Sequence, residues 1–255
     1  MQRVVRNRAA GPGVSIQESF ADMTEEAVRH APDRLASCIE LLSADNAAEF
    51  VAANSDTNWA HNSAKRLLDL AIAIPALIFM APLLAVLAIL VRLDSPGPVL
   101  FRQKRLGYGG QPFDIFKFRT MTVMENGETI VQARRDDART TRVGRWLRAY
   151  SLDELPQFFN VVKGDMSLVG PRPHACAHDE FYGRVIVNYS RRQEVKPGIT
   201  GWAQVHGLRG ATPTVGQMSR RVDLDLWYAE HASFALDAKI LLRTPMEVLR
   251  SRNAY

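Results

Sequence analysis

The sequence predicts an α+β architecture: a re-entrant membrane helix hairpin at residues 63–93, then a mostly helical domain with a small sheet on the cytoplasmic side. Three observations carry this expectation. Leu70 to Val91 is a run of 22 residues without a charged side chain. As one helix it would be about 33 Å long, roughly the hydrocarbon thickness of a bilayer. Pro75 and Pro82 lie inside the run, and an interior proline removes a helical hydrogen bond and kinks the helix. Both flanks are cationic, with Lys65 and Arg66 before it and Arg92, Arg102, Lys104 and Arg105 after it. Positive residues favour the cytoplasmic side, so both ends are expected there and the chain dips in and returns. A spanning helix with its domain outside is the competing arrangement.

The elements follow in order. Residues 1–62 read as an N-terminal variable extension, loose around Ala9–Gly13 and compatible with short amphipathic helices within Asp22–Phe50. No apolar core follows the first arginines, so no cleavable signal peptide is expected. After the apolar run, Pro98–Gln103 and Phe113–Met121 alternate in polarity and read as short strands joined by a turn at Gly107–Gln111. Arg142–Tyr150 reads as a basic amphipathic helix with Val143, Trp146, Leu147 and Tyr150 on one face. Phe158–Lys163, stopped by Gly164, is a further helix. Asp179–Ser190, Met218–His231 and Leu236–Arg250 read as the remaining helices, the last broken or kinked at Pro245.

Composition narrows the function. The 255 residues are 47% hydrophobic and 23% charged, with a net charge of +5. Residues 1–60 hold five Lys/Arg and nine Asp/Glu, so the rest carries a net positive charge larger than the total. A basic body suits phosphates, acidic lipid headgroups or nucleic acid; an apolar hairpin has no use in a nucleic-acid binder. Cys38 and Cys176 are far apart and lack zinc-site spacing, which fits a reducing compartment and excludes a disulfide framework. No third glycine completes a dinucleotide fingerprint at Gly107, and neither a phosphate loop nor an HExxH motif is present.

Four segments hold residues suited to chemistry. Asp153 and Glu154 are adjacent in Ser-Leu-Asp-Glu-Leu-Pro. Such a pair can share a metal ion, or divide nucleophilic and supporting roles. Ser151 and Glu154 also have the spacing of a helix capping box, but Pro156 fits better as the first residue of a helix. Both acids then precede a helix N-terminus, whose dipole favours the ionised carboxylate. Arg172 lies between Pro171 and Pro173, which restrict the backbone and pre-position a guanidinium for bidentate phosphate binding. Lys117 and Arg119 alternate with Phe116 and Phe118, so a strand would put both cations on one face. Pro197 to Gly210 is glycine-rich, which permits close approach of backbone to a ligand, and offers Gln204, His206 and Arg209. Each segment also has a purely structural reading: a rigid turn, a wet strand face, a loop without a ligand.

In combination and in order, KRLLDL, FKFRTM, SLDELPQFFNVVKGDMSLVGPRP and KPGITGWAQVHGLRG resemble the bacterial sugar transferase family, the monotopic polyprenyl-phosphate phosphoglycosyl transferases. The resemblance runs from about Ser63 to the C-terminus and implies a catalytic domain at 94–255. It implies a catalytic dyad of Asp153 and Glu154, with Asp153 attacking the β-phosphoryl group of a UDP-sugar, releasing UMP and forming a phosphosugar-enzyme. Undecaprenyl phosphate, a polyprenyl phosphate, then accepts the sugar phosphate. Magnesium (Mg2+) would be held by Asp153 and Glu154, and Lys117, Arg119, Arg148, Arg172, Gln204 and Arg209 would contact the substrate. The hairpin break falls at Ala81-Pro82, where the family commonly has Ser-Pro. The segments Gly207–Thr212, Met218-x-x-Arg221 and Asp225-x-Trp-Tyr228 resemble the branch that initiates exopolysaccharide with a hexose-1-phosphate, favouring glucose or galactose; Ala211 departs from the acidic residue often found there. The implied setting is the cytoplasmic face of a bacterial inner membrane, in contact with membrane lipid and without nucleic acid, and a homo-oligomer is compatible with it. A hydrolase using both acids as metal ligands, or an inactive anchored scaffold, are the alternatives.

Overall fold

The computed structural model describes residues 59–122, 137–210, 212 and 214–250. The expected N-terminal helices, Cys38 and residues 123–136 lie outside the described residues.

A turn of 3-10 helix at Trp59–His61 leads into α1, Ser63–Asp94, the long apolar helix. Asn62 caps it, its side chain accepting from the Ala64 N–H at 2.8 Å. Pro75 and Pro82 both lie within α1, and the backbone at Ala81-Pro82 stays helical. Each proline leaves one carbonyl of the preceding turn without its helical donor.

The ends of α1 are sewn to the body, and its middle is bare. Near its start, Lys65 is buried and donates to Asp237 Oδ2 at 2.6 Å, Tyr228 OH at 3.1 Å and the Val169 carbonyl at 3.1 Å. One turn on, Asp69 accepts from Ser167 Oγ and the Leu168 N–H. Arg66 caps the far end of another helix through the carbonyls of Val161 and Val162. Near its close, Leu87 and Val91 pack on Phe118 and Leu147, and Asp94 accepts from the Val143 N–H. Between these ends Ile74, Ile78, Phe79, Leu83 and Val86 are exposed, Phe79 at 87%. That distribution fits an apolar medium around the middle and a protein surface at both ends.

Strands β1 (Leu100–Leu106) and β2 (Pro112–Phe118) form an antiparallel hairpin, with Leu100 opposite Phe118 and Leu106 opposite Pro112. Tyr108–Gly110 makes the turn, where Gly109 and Gly110 both take positive φ. β1 runs three residues beyond the expected strand, and β2 ends three residues sooner. Met121 instead bridges to Thr140. Helix α2 (Arg142–Ala149) starts with Thr141 accepting from the Gly144 N–H. Helix α3 (Gln157–Lys163) is stopped by Gly164 at φ 101°. Its Asn160 is wholly buried and bonds β2 through the Phe116 N–H and the Asp114 carbonyl.

Two three-residue strands, β3 (Ser167–Val169) and β4 (Gly198–Thr200), pair in parallel. Glycines make that pairing possible: a Cβ on Gly198 or Gly201 would collide with the Gly170 backbone. The close approach expected of these glycines is therefore made backbone to backbone. Helix α4 (Cys176–Val185) is followed by a 3-10 segment, Tyr189–Glu194, where one continuous helix was expected. Asn188, at φ 61°, turns the chain between them. Helices α5 (Val215–His231) and α6 (Phe234–Arg250) close the fold, with Pro245 inside a continuous α6. The main core joins Ala73 of α1, β2, α3, β3, Tyr228 and Ile240. The domain is thus mostly helical with small sheets, carried on one long apolar helix.

Candidate active site

Asp153 and Glu154 sit in a single 3-10 turn, Leu152–Glu154, immediately before α3. Ser151 enters that turn in the left-handed region at φ 57° and makes no side-chain cap. The capping-box spacing is therefore coincidental, and Glu154 is free for other partners. Pro156 supplies a helical φ at the junction.

Glu154 is the hub. Arg172 donates to both its oxygens, at 2.5 and 3.1 Å, and Lys117 Nζ lies 2.8 Å from Oε1. Arg209 comes within 3.8 Å of Oε2. The four groups arrive from separate elements: the end of β2, the turn before α3, the loop after β3 and the loop before α5. Burial pushes the Glu154 carboxyl up, but Arg172 and Lys117 outweigh it and hold it well below the usual range. Asp153 goes the other way: burial and then the neighbouring Glu154 charge raise its carboxyl, against Lys117, Arg148 and Arg172. Two adjacent carboxylates are thereby driven apart in acidity, one fixed as an anion among cations, the other less firmly ionised. Among the described residues no hydrogen bond is donated to the Asp153 carboxylate.

Lys117, Arg148, Arg172 and Arg209 therefore converge on the acidic pair. Arg119 does not. Its guanidinium is buried and donates to the Ser95 carbonyl and hydroxyl and to the Val91 carbonyl, closing the end of α1. It follows Phe118, where β2 has already ended, so the alternation that paired it with Lys117 no longer holds. Gln204 is also buried, donating to the Ile199 carbonyl. It shapes the loop that presents Arg209. Ala81 and Pro82 lie on the exposed middle of α1.

Behind the site lies a second polar layer not foreseen from spacing. Arg192 is buried; it pairs with Asp225 at 2.8 Å and donates to the Arg172 carbonyl at 2.7 Å. Arg221 holds the Gly210 carbonyl, next to Arg209. Between them His174 Nδ1 meets Tyr189 OH at 2.6 Å, and that hydroxyl donates to Asp179. Burial, Arg192 and Arg221 keep His174 well below its ordinary value, so it stays a neutral acceptor or donor within the layer. The backbone at Arg172 and that beside Arg209, the two arginines that reach Glu154, are thus fixed from behind. Asp225 and Arg221 were visible in the sequence as parts of short motifs, but their partners lie tens of residues away.

Among the described residues no cluster of three His, Cys, Asp or Glu could hold a metal by itself. A pair of carboxylates with one oxygen set uncommitted suits Mg2+, which takes one or two protein carboxylates when phosphate oxygens supply the rest.

Residues 60–251 match the family model described as "Bacterial sugar transferase". The chain is 53% identical over 191 residues to the UDP-glucose:undecaprenyl-phosphate glucose-1-phosphate transferase of Caulobacter vibrioides, covering 75% of this chain and 72% of that protein. It is 49% identical over 191 residues to the protein of the same name from Escherichia coli K12, again over 75% of this chain but 41% of that one. A UDP-N-acetylgalactosamine-undecaprenyl-phosphate N-acetylgalactosaminephosphotransferase of Aeromonas hydrophila is 40% identical over 185 residues, covering 72% of this chain and 43% of that protein. The chain thus spans less than half the length of two of these three relatives.

Proposed function

The chain belongs to the bacterial sugar transferase family, and from that premise we propose that it moves a hexose-1-phosphate from a UDP-sugar to undecaprenyl phosphate. Glucose is the favoured hexose, because the relatives at 49 to 53% identity named above are glucose-1-phosphate transferases and the N-acetylgalactosamine enzyme stands at 40%. The observation that carries the reading is the convergence of Lys117, Arg172 and Arg209 on Glu154, beside an Asp153 whose carboxylate is uncommitted.

The chemistry is two displacements at one phosphorus. An Asp153 oxygen attacks the β-phosphorus, and the bond from that phosphorus to the bridging oxygen breaks. UMP leaves with the bond's electron pair, and the hexose phosphate stays on Asp153 as a mixed anhydride. An oxygen of undecaprenyl phosphate then attacks the same phosphorus and returns the carboxylate. The product is a lipid diphosphate sugar, and no proton or electron is left over. Phosphoryl transfer of this kind depends on positioning and on charge stabilisation. Lys117, Arg172 and Arg209 supply that charge, and Glu154 holds them in place until phosphates compete for them. Mg2+ held by Asp153 and Glu154 would neutralise part of the diphosphate charge.

The anchor is read as re-entrant on the cytoplasmic face of the inner membrane. What supports this is that one body grips α1 at both Lys65 and Val91. A domain on one side of a bilayer cannot hold both ends of a helix that crosses it. The exposed Ile78, Phe79 and Leu83 then enter the bilayer, and Pro82 supplies the bend. Cysteines placed at Asn62 and Asp94 should both resist a membrane-impermeant thiol reagent added from the periplasm; labelling of either one argues for a crossing helix.

The activity test is UMP release from a panel of UDP-sugars by the purified full chain. Turnover that needs UDP-glucose, undecaprenyl phosphate and magnesium together supports the transferase. Sustained UMP release without lipid points to a hydrolase, and no UMP from any sugar to a scaffold.

A further inference from the structure

A second polar cavity lies at the foot of α1, built from none of the residues around the dyad. It is a space of about 260 Å³ bordered by His61, Lys65, Arg66, Asp69, Tyr108 and Lys196, among others. That is room for several waters, and for a phosphate ester. Its walls are firm. Tyr108, from the hairpin turn, has its ring against His61 at 5.4 Å. The Lys196 carbonyl packs closely on Gly170, where a Cβ would collide with it.

The charges on these walls do not balance. Lys65 is neutralised by Asp237 at 2.6 Å. Asp69 accepts from two neutral groups, Ser167 Oγ and the Leu168 N–H, and keeps its negative charge. Arg66 spends its donors on two neutral carbonyls and keeps its full charge. Lys196 is half-buried; burial and then Arg66 lower its pKa, against Asp69 and then Asp165, the latter bridged at 3.1 Å by Lys163. Two cations thus face one cavity against the single carboxylate of Asp69, which raises Lys196 by less than burial and Arg66 lower it. An anion between them would offset the difference.

The position suggests which anion. Lys65, Arg66 and Asp69 fill the first two turns of α1, and the uncharged run begins at Leu70. If the apolar run lies in the bilayer, as proposed above, the cavity stands at headgroup depth.

We propose that this cavity binds a phosphate-ester anion through Arg66 and Lys196, its source being the headgroup of an anionic phospholipid. The anion pins the foot of the membrane helix to the surface, apart from the reaction centre.

The test reads Lys196 directly and needs no turnover. The full chain in neutral detergent is acylated at lysine with a small amine reagent, and the rate at each lysine is followed by mass spectrometry. Lys104, 60% exposed on the hairpin, is the internal control. Phosphatidylglycerol is expected to slow acylation of Lys196 at least fivefold while Lys104 is unchanged, and Arg66→Gln should abolish that protection. Protection by millimolar glycerol 3-phosphate but not by phosphatidylglycerol keeps the phosphate site and overturns its lipid source. Protection by neither, or equal slowing at Lys104, overturns the proposal. An enzyme inactive in UMP release that still shows the protection would leave this inference standing and remove only the catalytic reading.

Discussion

Replacing Lys65 by methionine should cost far more than a surface charge would. Lys65 is 4% exposed and makes three hydrogen bonds, one of them to the Asp237 carboxylate at 2.6 Å. Methionine fills much of the space but supplies no donor. Asp237 is then left as a buried anion with only Tyr228 OH at 2.7 Å and Trp59 Nε1 at 2.8 Å. Breaking one side of a buried pair costs about 3–5 kcal/mol. The two surviving donors place this case at the lower end, about 3 kcal/mol, or a fall in Tm of about 6–12 °C for a body of this size. Adding Asp237→Leu removes the stranded charge. Tyr228 OH keeps the Val169 carbonyl at 3.2 Å, so the double variant should recover about half of the loss. The assay is thermal unfolding of the four proteins of the cycle in one detergent. A loss below about 1 kcal/mol for Lys65→Met, or strict additivity of the two changes, would refute the view of this pair as the clamp on α1.

Asp153→Asn keeps the shape of the turn and removes the nucleophile, so UMP release should fall by about a thousandfold or more, with membrane association retained in flotation assays. Because burial and Glu154 raise Asp153, kcat/KM should fall on the acid side with a midpoint above the ordinary 3.8; a midpoint at or below that value contradicts the assignment. The stability terms have opposite signs. The Glu154 contribution is full above about pH 4.5 and is lost as pH falls through its depressed folded-state pKa. Asp153 instead adds a cost as pH rises from 3.8 through its raised one. Arg192→Lys removes the fork that spans Asp225 and the Arg172 carbonyl; it should raise KM for the UDP-sugar several-fold with kcat changed less, and equal losses in both would indicate general damage. Gly144→Ala drives a Cβ into the Thr120 carbonyl and should lower stability by about 1–3 kcal/mol in the same melts.

The parts legible in the sequence are those with a local cause. The apolar run, the turn at Gly107–Gln111, the stop at Gly164 and the acidic pair before Pro156 each follow from residues within a few positions. The parts that escaped depend on distant partners. β3 and β4 are three residues each, too short for alternation to register, and exist because Gly170, Gly198 and Gly201 let two backbones touch. Arg119 looked like a neighbour of Lys117 on a strand face, yet Ser95 and the end of α1 claim it. Arg192, Asp225, His174 and Arg221 are buried polar groups drawn from three separate stretches, and no window of sequence shows them together.

The clamp at Lys65 also sets an order of events during synthesis. Its partners Tyr228 and Asp237 lie 163 and 172 residues further along. At 5–20 residues per second the ribosome delivers them about 8–35 s after the lysine. Through that interval the helix has its far end in reach of Phe118 and Leu147, and its near end gains Val161, Val162, Ser167 and Leu168, but Lys65 itself lacks its counter-ion. The anchor is thus completed by the last two helices made, and a nascent chain arrested before Trp227 should be stripped from membranes by alkaline carbonate more readily than one released in full.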